Sequence, residues 1–514
     1  MPRSGVWLLA AAILVLASWW RLDSIDRRPL WLDETSTAAA VTQSPTLAAL
    51  WAQGARDAYL HPPLAYLGNW LADPTGAAPA RLRLPSVVAG IVSVALVMLL
   101  GARLFGVRAG LLAGFLLAIS MHHVDHSQEA RPYVPSVALT LGIYVALFGW
   151  VATRRAWQLA LAVACAALAL YTYHLALLHV AVAGGVAALD AAAAARAARR
   201  NGAPAVRAAV ERIGPFAVAG VALALLYLPQ LGNLRGFLAG SGALPNHVLD
   251  LRPAVLHAIA ERWVSGPPWA TWICEAAFLA GLARLAMRRD ATAAGVAAWM
   301  AAPFLLFGLV PFSKYFDLRF LISALPAFFL LVAAGLDAIA RGAARAAAPD
   351  AKADAVAWVA GAAFAAVLFV PAAGLHARYR AADRSCSDFV RAPALADDRL
   401  CADHLLLNSI LADHQFVLRK LGRWTSLAPQ QLDDCVGRYA FPDDTPIAIE
   451  RRGDQLVAKI GHRFPFALVA ESDTVFVSRI DPRRFVFERG PDGRATALVL
   501  ETGSGTARAP RSDR

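Results

Sequence analysis

The sequence predicts a polytopic α-helical membrane protein, about eleven transmembrane helices followed by a small, mainly-β soluble domain. Three observations carry that prediction. Hydrophobic residues make up 58% of the 514 and charged residues only 17%, with a mean hydropathy of +0.49, whereas soluble domains carry about 25% charge. Apolar runs of bilayer length recur as far as residue 373, divided by short polar turns. Beyond 373 those runs stop, and short segments of alternating apolar and polar residues replace them.

The runs lie near 5–20, 85–102, 109–122, 132–152, 157–173, 175–194, 214–231, 269–286, 292–311, 320–340 and 355–373. The first has Arg3 before it and Trp19-Trp20 behind it, lacks a small-residue cleavage site and reads as a retained anchor. The net charge of +12 would raise the question of nucleic acid in a soluble protein. Here the basic residues punctuate the runs, so no nucleic-acid partner is expected and the membrane is the partner instead. The turns holding Arg103 and Arg108, Arg154 and Arg155, Arg196 to Arg212, Arg284 to Arg289, and Arg341 to Lys352 are cytoplasmic by the positive-inside rule. That places the N-terminus in the cytoplasm of a bacterial inner membrane. The segments 21–84, 123–131, around 174, 232–268, 312–319 and everything after 373 then face the periplasm.

The first outer loop, 21–84, is too long for a turn and repeats aromatic and apolar residues, among them Leu47, Trp51, Tyr66 and Trp70, as interfacial helices do. His61-Pro62-Pro63-Leu64 within it is a rigid elbow, because each proline fixes its own φ and restricts its predecessor. It reads either as a helix start or as a segment that turns His61 toward a substrate. Two clusters of charge stand out on this face: Trp31-Leu32-Asp33-Glu34, and His126-Ser127-Gln128-Glu129-Ala130-Arg131-Pro132-Tyr133. Ionisable groups beside a membrane face are costly and mark functional sites by default.

These motifs carry a resemblance. Trp31-Leu32-Asp33-Glu34, then His61-Pro62-Pro63-Leu64, then Gln128 to Tyr133, then Arg319-Phe320-Leu321-Ile322-Ser323-Ala324-Leu325-Pro326 is similar to the protein mannosyltransferase and aminoarabinose transferase superfamily, glycosyltransferases of the GT-C fold. It covers roughly residues 1–373. It implies transfer of a sugar, with inversion, from a polyprenyl-phosphate donor to a lipid, glycan or protein acceptor outside the cytoplasm.

The chemistry can also be argued from the residues. Glycosyl transfer needs a base for the acceptor's proton, cations for the departing phosphate and a site that excludes water. Asp33 is the candidate base, since partial desolvation at a membrane face raises a carboxylate into a useful range. Glu129 is the second catalytic candidate. It either holds sugar hydroxyls or a divalent cation while Arg131 meets phosphate, or simply pairs with Arg131. Glu34, His61, Arg131, Tyr133, Lys314 and Arg319 are the expected substrate-binding set, with Glu34 alternatively a capping group and Arg319 a snorkelling anchor. Arg56, Arg83, Arg235 and Arg262 are further phosphate candidates, and the Trp-rich loop 232–268 is a candidate lid. His122, His126 and Glu129 share a helix face and would be the ligands if a divalent ion were bound, although interfacial polar residues fit the pattern as well; no other cofactor is expected. Tyr171, Tyr173 and His174 read as an aromatic belt.

Residues 374–425 read as a helical connector and 426–505 as a meander of short antiparallel strands, with 506–514 a disordered tail. Val436-Gly437-Arg438-Tyr439, Gly453-Asp454-Gln455-Leu456 and Asp492-Gly493 make this segment similar to the lipocalin-like β-domain appended to some serine β-lactamase-like peptidases, which implies a binding or assembly module. Cys386, Cys401 and Cys435 would share an oxidising compartment, where one disulfide among them is allowed and the pair is left open. Two other functions remain at this point: a transporter or flippase of lipid-linked sugars, which should carry ionisable residues at the midplane of its spans, and a membrane-anchored protein that binds through the β-domain.

Overall fold

The computed structural model describes residues 3–26, 32–56, 61–76, 78–239, 249–310, 318–347, 353–391, 427–441, 446–452, 455–460, 466–477, 484–502 and 505–512. The chain opens with the apolar helix α1 (Arg3–Leu22), followed by three short helices of the first loop, α2 (Leu32–Thr42), α3 (Leu47–Arg56) and α4 (Leu64–Ala72). Ala40, Leu50, Ala65 and Tyr66 form a small core among these three, and the Trp70 indole N–H donates to Ser44 O at 2.8 Å. The long helix α5 (Pro79–Phe105) starts at a proline, whose missing N–H costs nothing in a first turn. Its 27 residues reach about 40 Å at 1.5 Å per residue, more than the hydrocarbon thickness of a bilayer.

Next come α6 (Val107–Ile119) and α7 (Met121–Ser127), two pieces of one apolar run bent by 63° at Ser120. The run 109–122, expected as a straight span, is therefore a broken one. The Ser120 hydroxyl donates to Trp263 O at 2.8 Å, and the fully buried Arg21 guanidinium donates to Leu117 O and Ala118 O, which the break deprives of helical partners. The remaining helices are α8 (Tyr133–Thr153), α9 (Ala156–Leu170), α10 (Ala176–Arg200), α11 (Ala205–Tyr227), α12 (Leu231–Ala239), α13 (Pro253–Val264), α14 (Pro268–Ala286), α15 (Ala291–Leu309), α16 (Leu325–Ala347) and α17 (Ala353–Arg391), with a 3₁₀ segment, Leu318–Ala324, leading into α16.

Among the described residues eight helices are long and apolar enough to cross a membrane, and the bent pair makes a ninth. The other two of the expected eleven are helices that fall short of that standard: α9 has only 15 residues, and α14 carries Glu275 and Arg284. The chain is a multi-pass membrane protein. Its tightest helix contact is between α14 and α16, where a Cβ built on Gly281 or Gly335 would overlap the facing carbonyl of Leu331 or Ala277. Small residues let backbones meet where lipid supplies no hydrophobic drive between helices. The far end of α17 returns to α1: the His376 ring stacks on Trp20 at 4.6 Å, and its Nε2 lies 3.2 Å from Asp23 Oδ2.

The expected helical connector is helical as far as Arg391, as the continuation of α17, and 392–426 lie outside the described residues. After the short helix α18 (Pro429–Asp433) eight antiparallel strands form a closed barrel: β1 (Gly437–Ala440), β2 (Pro446–Arg452), β3 (Gln455–Ile460), β4 (Phe466–Ala470), β5 (Val475–Val477), β6 (Arg484–Arg489), β7 (Ala495–Thr502) and β8 (Gly505–Ser512). The segment read as a tail beyond 505 is thus β8. It pairs with β7 through Leu500↔Ala507 and Leu498↔Ala509 and closes on β1 through Tyr439↔Arg511, which leaves the sheet no exposed edge. Tyr439, Phe476, Phe485, Phe487, Leu498 and Leu500 fill the interior, so the barrel is a packed core, as small barrels are. Cys435 is a buried free thiol, pushed up to about 11 by burial; the side chain of Cys386 and all of Cys401 lie outside the described residues.

Candidate active site

Four separate elements meet at one end of the helix bundle. α2 brings Asp33 and Glu34 in its first turn, the Pro62-Pro63 elbow brings His61, the turn between α7 and α8 brings Glu129 and Arg131, and the 3₁₀ segment brings Arg319. The adjacent carboxylates of α2 separate sharply. Glu34 is fully buried: Arg83 of α5 grips it with two bonds of 2.8 Å, and its Oε1 also accepts from Ala130 N at 2.8 Å. Glu34, expected among the substrate-binding residues, and Arg83, expected as a phosphate candidate, are committed to each other and to the turn that carries Glu129 and Arg131.

Asp33 points the other way and keeps 23% of its side chain exposed, so the desolvation expected for it is partial. Its Oδ2 accepts from Arg319 Nη1 at 2.7 Å, and its backbone carbonyl from Arg131 Nη1 at 3.0 Å. Arg131 also reaches the Thr37 hydroxyl at 3.3 Å and His61 Nε2 at 2.7 Å. A guanidinium can only donate, so His61 Nε2 is the acceptor and its ring is neutral, with the proton on Nδ1. The elbow is a helix start, since α4 begins at Leu64, and it also brings His61 against Arg131. The two guanidiniums lie over the Tyr133 ring, 5.8 Å from its centroid for Arg131 and 5.0 Å for Arg319. Burial alone would lower the Arg131 guanidinium, but Tyr133 and Asp33 outweigh it and hold it above its ordinary value. Two permanent cations beside one partly exposed carboxylate are groups that can hold an anion and accept a proton.

Glu129 is buried and its Oε2 lies 3.0 Å from His126 Nδ1, while Arg131 turns to Asp33 O and His61. The His122 ring stands edge-on to His126 at 4.7 Å. Among the described residues no group of three or more His, Cys, Asp or Glu side chains is placed to hold a metal ion, and that includes His122, His126 and Glu129, which sequence offered only as possible ligands. Lys314, Trp31 and the Arg56 side chain lie outside the described residues. Arg235 is exposed on α12, and Arg262 lies 3.8 Å from Asp125 of α7, which docks the candidate lid helix α13 beside the site.

Three participants were not singled out from sequence. Tyr173, read as belt, packs edge-on against His61 at 5.4 Å and Tyr133 at 5.6 Å. Thr37 sits one turn after Asp33, a spacing that could have flagged it. Arg21 lies buried under the turn, with its Nη2 2.8 Å from His123 Nδ1 and its Nε 3.2 Å from Ser127 Oγ.

Residues 61–203 match the model of the dolichyl-phosphate-mannose-protein mannosyltransferase family. That stretch contains His61, Glu129, Arg131 and Tyr133. No curated protein matches the chain. Among solved structures the chain is similar to ArnT from Cupriavidus metallidurans in the apo state, at 17% identity over 85% of this chain and 82% of that one, with a TM-score of 0.46. For the same protein bound to undecaprenyl phosphate the values are 18%, 86%, 83% and 0.45. The apo oligosaccharyltransferase of Archaeoglobus fulgidus aligns at 11% identity over 80% of this chain and 61% of that one, with a TM-score of 0.46.

Proposed function

We propose that this chain is an integral membrane glycosyltransferase that moves a sugar from a polyprenyl-phosphate donor to an acceptor on the extracytoplasmic face, with Asp33 as general base and inversion at the anomeric carbon. The observation that carries the reading is the Asp33–Arg319 pair at 2.7 Å, joined by Arg131 through the Asp33 carbonyl. The family match over 61–203, whose description names a polyprenyl-phosphate sugar donor, supports it.

The pair is the resting arrangement. The donor phosphate draws Arg319 and Arg131 to itself, since planar guanidiniums suit phosphate oxygens, and so releases the Asp33 carboxylate. The carboxylate then takes the acceptor's proton as the acceptor oxygen attacks the anomeric carbon from the face opposite the phosphate. The bond to phosphate breaks, and the two guanidiniums hold the charge that develops on the leaving group. One displacement of this kind inverts the anomeric centre. Glu129, held by His126, is the second carboxylate of the site and accepts from sugar hydroxyls, and Lys314 adds to its cationic side. The bacterial inner membrane, with the site and the barrel in the periplasm, is the setting that the basic turns favour.

The test is transfer of radiolabelled sugar from a panel of polyprenyl-phosphate donors by membranes that carry the chain. Transfer by the wild type and its loss in Asp33→Asn are expected. Donor binding without transfer to any of a broad set of acceptors would move the reading to a lipid-linked-sugar transporter.

A further inference from the structure

At the other end of α5 the charges are arranged differently. Arg83 and Arg103 stand twenty residues apart on that helix, about 30 Å, the thickness of a hydrocarbon core, so the two ends face opposite sides of the bilayer. Around Arg103 the ends of α5, α6, α14 and α16 converge on the buried carboxylate of Asp337. Arg108 Nε lies 2.9 Å from its Oδ1 and Arg284 Nη1 2.9 Å from its Oδ2, and Arg341 of the same helix joins them. Arg284 also donates to Phe105 O and Arg288 to Leu104 O, which satisfies the last carbonyls of α5.

Capping and pairing do not balance this cluster. Arg103, Arg108, Arg284, Arg288, Arg341 and Arg345 outnumber Asp290 and Asp337, even when Asp350 and Asp354, further along the sequence, are counted with them. Arg341 is 33% exposed and uses Nε and Nη2 toward Asp337, which leaves the two donors of Nη1 for a further anion. Exposed apolar residues adjoin two of these arginines in sequence: Val107 beside Arg108 and Met287 beside Arg288 expose 43% and 75% of their surface. A soluble anion has no use for such neighbours, whereas a phospholipid puts its headgroup on the cations and its chains on the apolar residues.

We propose that the arginine cluster around Asp337 binds the phosphate headgroup of an anionic phospholipid and so ties the ends of α5, α6, α14 and α16 to the leaflet opposite the candidate active site. The site stands on its own geometry, whatever the reaction at the other face.

The test uses the full chain, purified and delipidated in detergent. Binding of phosphatidylglycerol and phosphatidylcholine is measured by native mass spectrometry and by the shift in melting temperature. Phosphatidylglycerol should bind and raise the melting temperature, and phosphatidylcholine and inorganic phosphate should not. The pair Arg341→Ala and Arg345→Ala should weaken phosphatidylglycerol roughly tenfold, while Arg199→Ala with Arg200→Ala on α10, an equal loss of charge elsewhere, should leave it unchanged. If the alanine pair does not fold, the glutamine pair carries the same expectation, and the lysine pair keeps most of the binding. Equal weakening by both alanine pairs would reduce the effect to diffuse net charge and overturn the site. An equal shift with inorganic phosphate would assign the cluster to a soluble anion, and no preference for phosphatidylglycerol would leave it purely structural; either result overturns the proposal.

Discussion

Asp33 and Glu34 are neighbours in sequence with opposite physical situations, and the difference is measurable. Glu34 has no exposed surface and three short bonds, so Glu34→Gln strands Arg83 in a buried position. Breaking a buried pair on one side costs about 3–5 kcal/mol. A clear fall in melting temperature is expected for that variant, together with lost transfer, because the turn carrying Glu129 and Arg131 loses its anchor. A melting temperature like that of the wild type would show that Glu34 is not the clamp described. His174 offers a pH test. Its Nδ1 lies 2.8 Å from Tyr227 Oη and its Nε2 3.2 Å from Asn233 Oδ1, and burial lowers its pKa despite a partial opposing effect of Asn233. A folded-state pKa below the unfolded value of about 6.5 gives stability that is present above that pH and lost as pH falls below it. Thermal scans from pH 7.5 to 5 should therefore show a steeper decline for the wild type than for His174→Gln, and parallel declines would remove His174 as the cause. At this scale the sequence named Asp33, His61, Arg131, Tyr133 and Arg319 from motif alone. It could not show that Glu34 is clamped while Asp33 stays partly exposed, because their partners Arg83 and Arg319 lie 49 and 286 residues away and only the fold selects them.

Among the elements, the break between α6 and α7 decides where the site lies. A straight continuation would carry His126 and Glu129 along the helix axis, whereas the 63° bend lays α7 across the end of the bundle. Arg21 secures the bend from below, and Gly90 of α5 makes room for it: a Cβ there would fall 2.8 Å from Arg21 Nε and would overlap the Ser127 hydroxyl. Gly90→Ala should thus cost about 1–3 kcal/mol, as overpacking does, and lower transfer with it. Stability equal to wild type in a thermal unfolding assay would show that the contact is slack. Hydropathy reads 109–122 as one run because a bend changes neither composition nor period, and Ser120 alone hints at the break. The final strand was hidden for a related reason. Gly-Thr-Ala-Arg-Ala-Pro is too polar and small to signal a strand by itself, and it becomes one because β7 and β1 both offer edges.

For the molecule as a whole, the short helices after α1, a broken span and a 3₁₀ entry deliver one partly exposed carboxylate and two guanidiniums to one face, while the opposite face collects arginines around Asp337. Composition made the membrane class and most of the spans legible, since length and hydropathy are local properties. It left the span count uncertain where α9 is short and α14 is charged, because those helices depend on their neighbours for burial. The barrel could be read as a meander of strands, but its closure and filled interior depend on side chains that meet only across the sheet. On the proposed function one ion pair divides two tasks, Asp33 serving the acceptor and Arg319 the donor. The most direct test measures labelled polyprenyl-phosphate donor binding and sugar transfer in the same purified preparations of wild type, Asp33→Asn and Arg319→Met. Asp33→Asn is expected to bind donor as well as wild type and to lose about 10²–10⁴ in transfer rate, whereas Arg319→Met should lose donor affinity. Undiminished transfer by Asp33→Asn, or donor affinity untouched in Arg319→Met, would contradict that division.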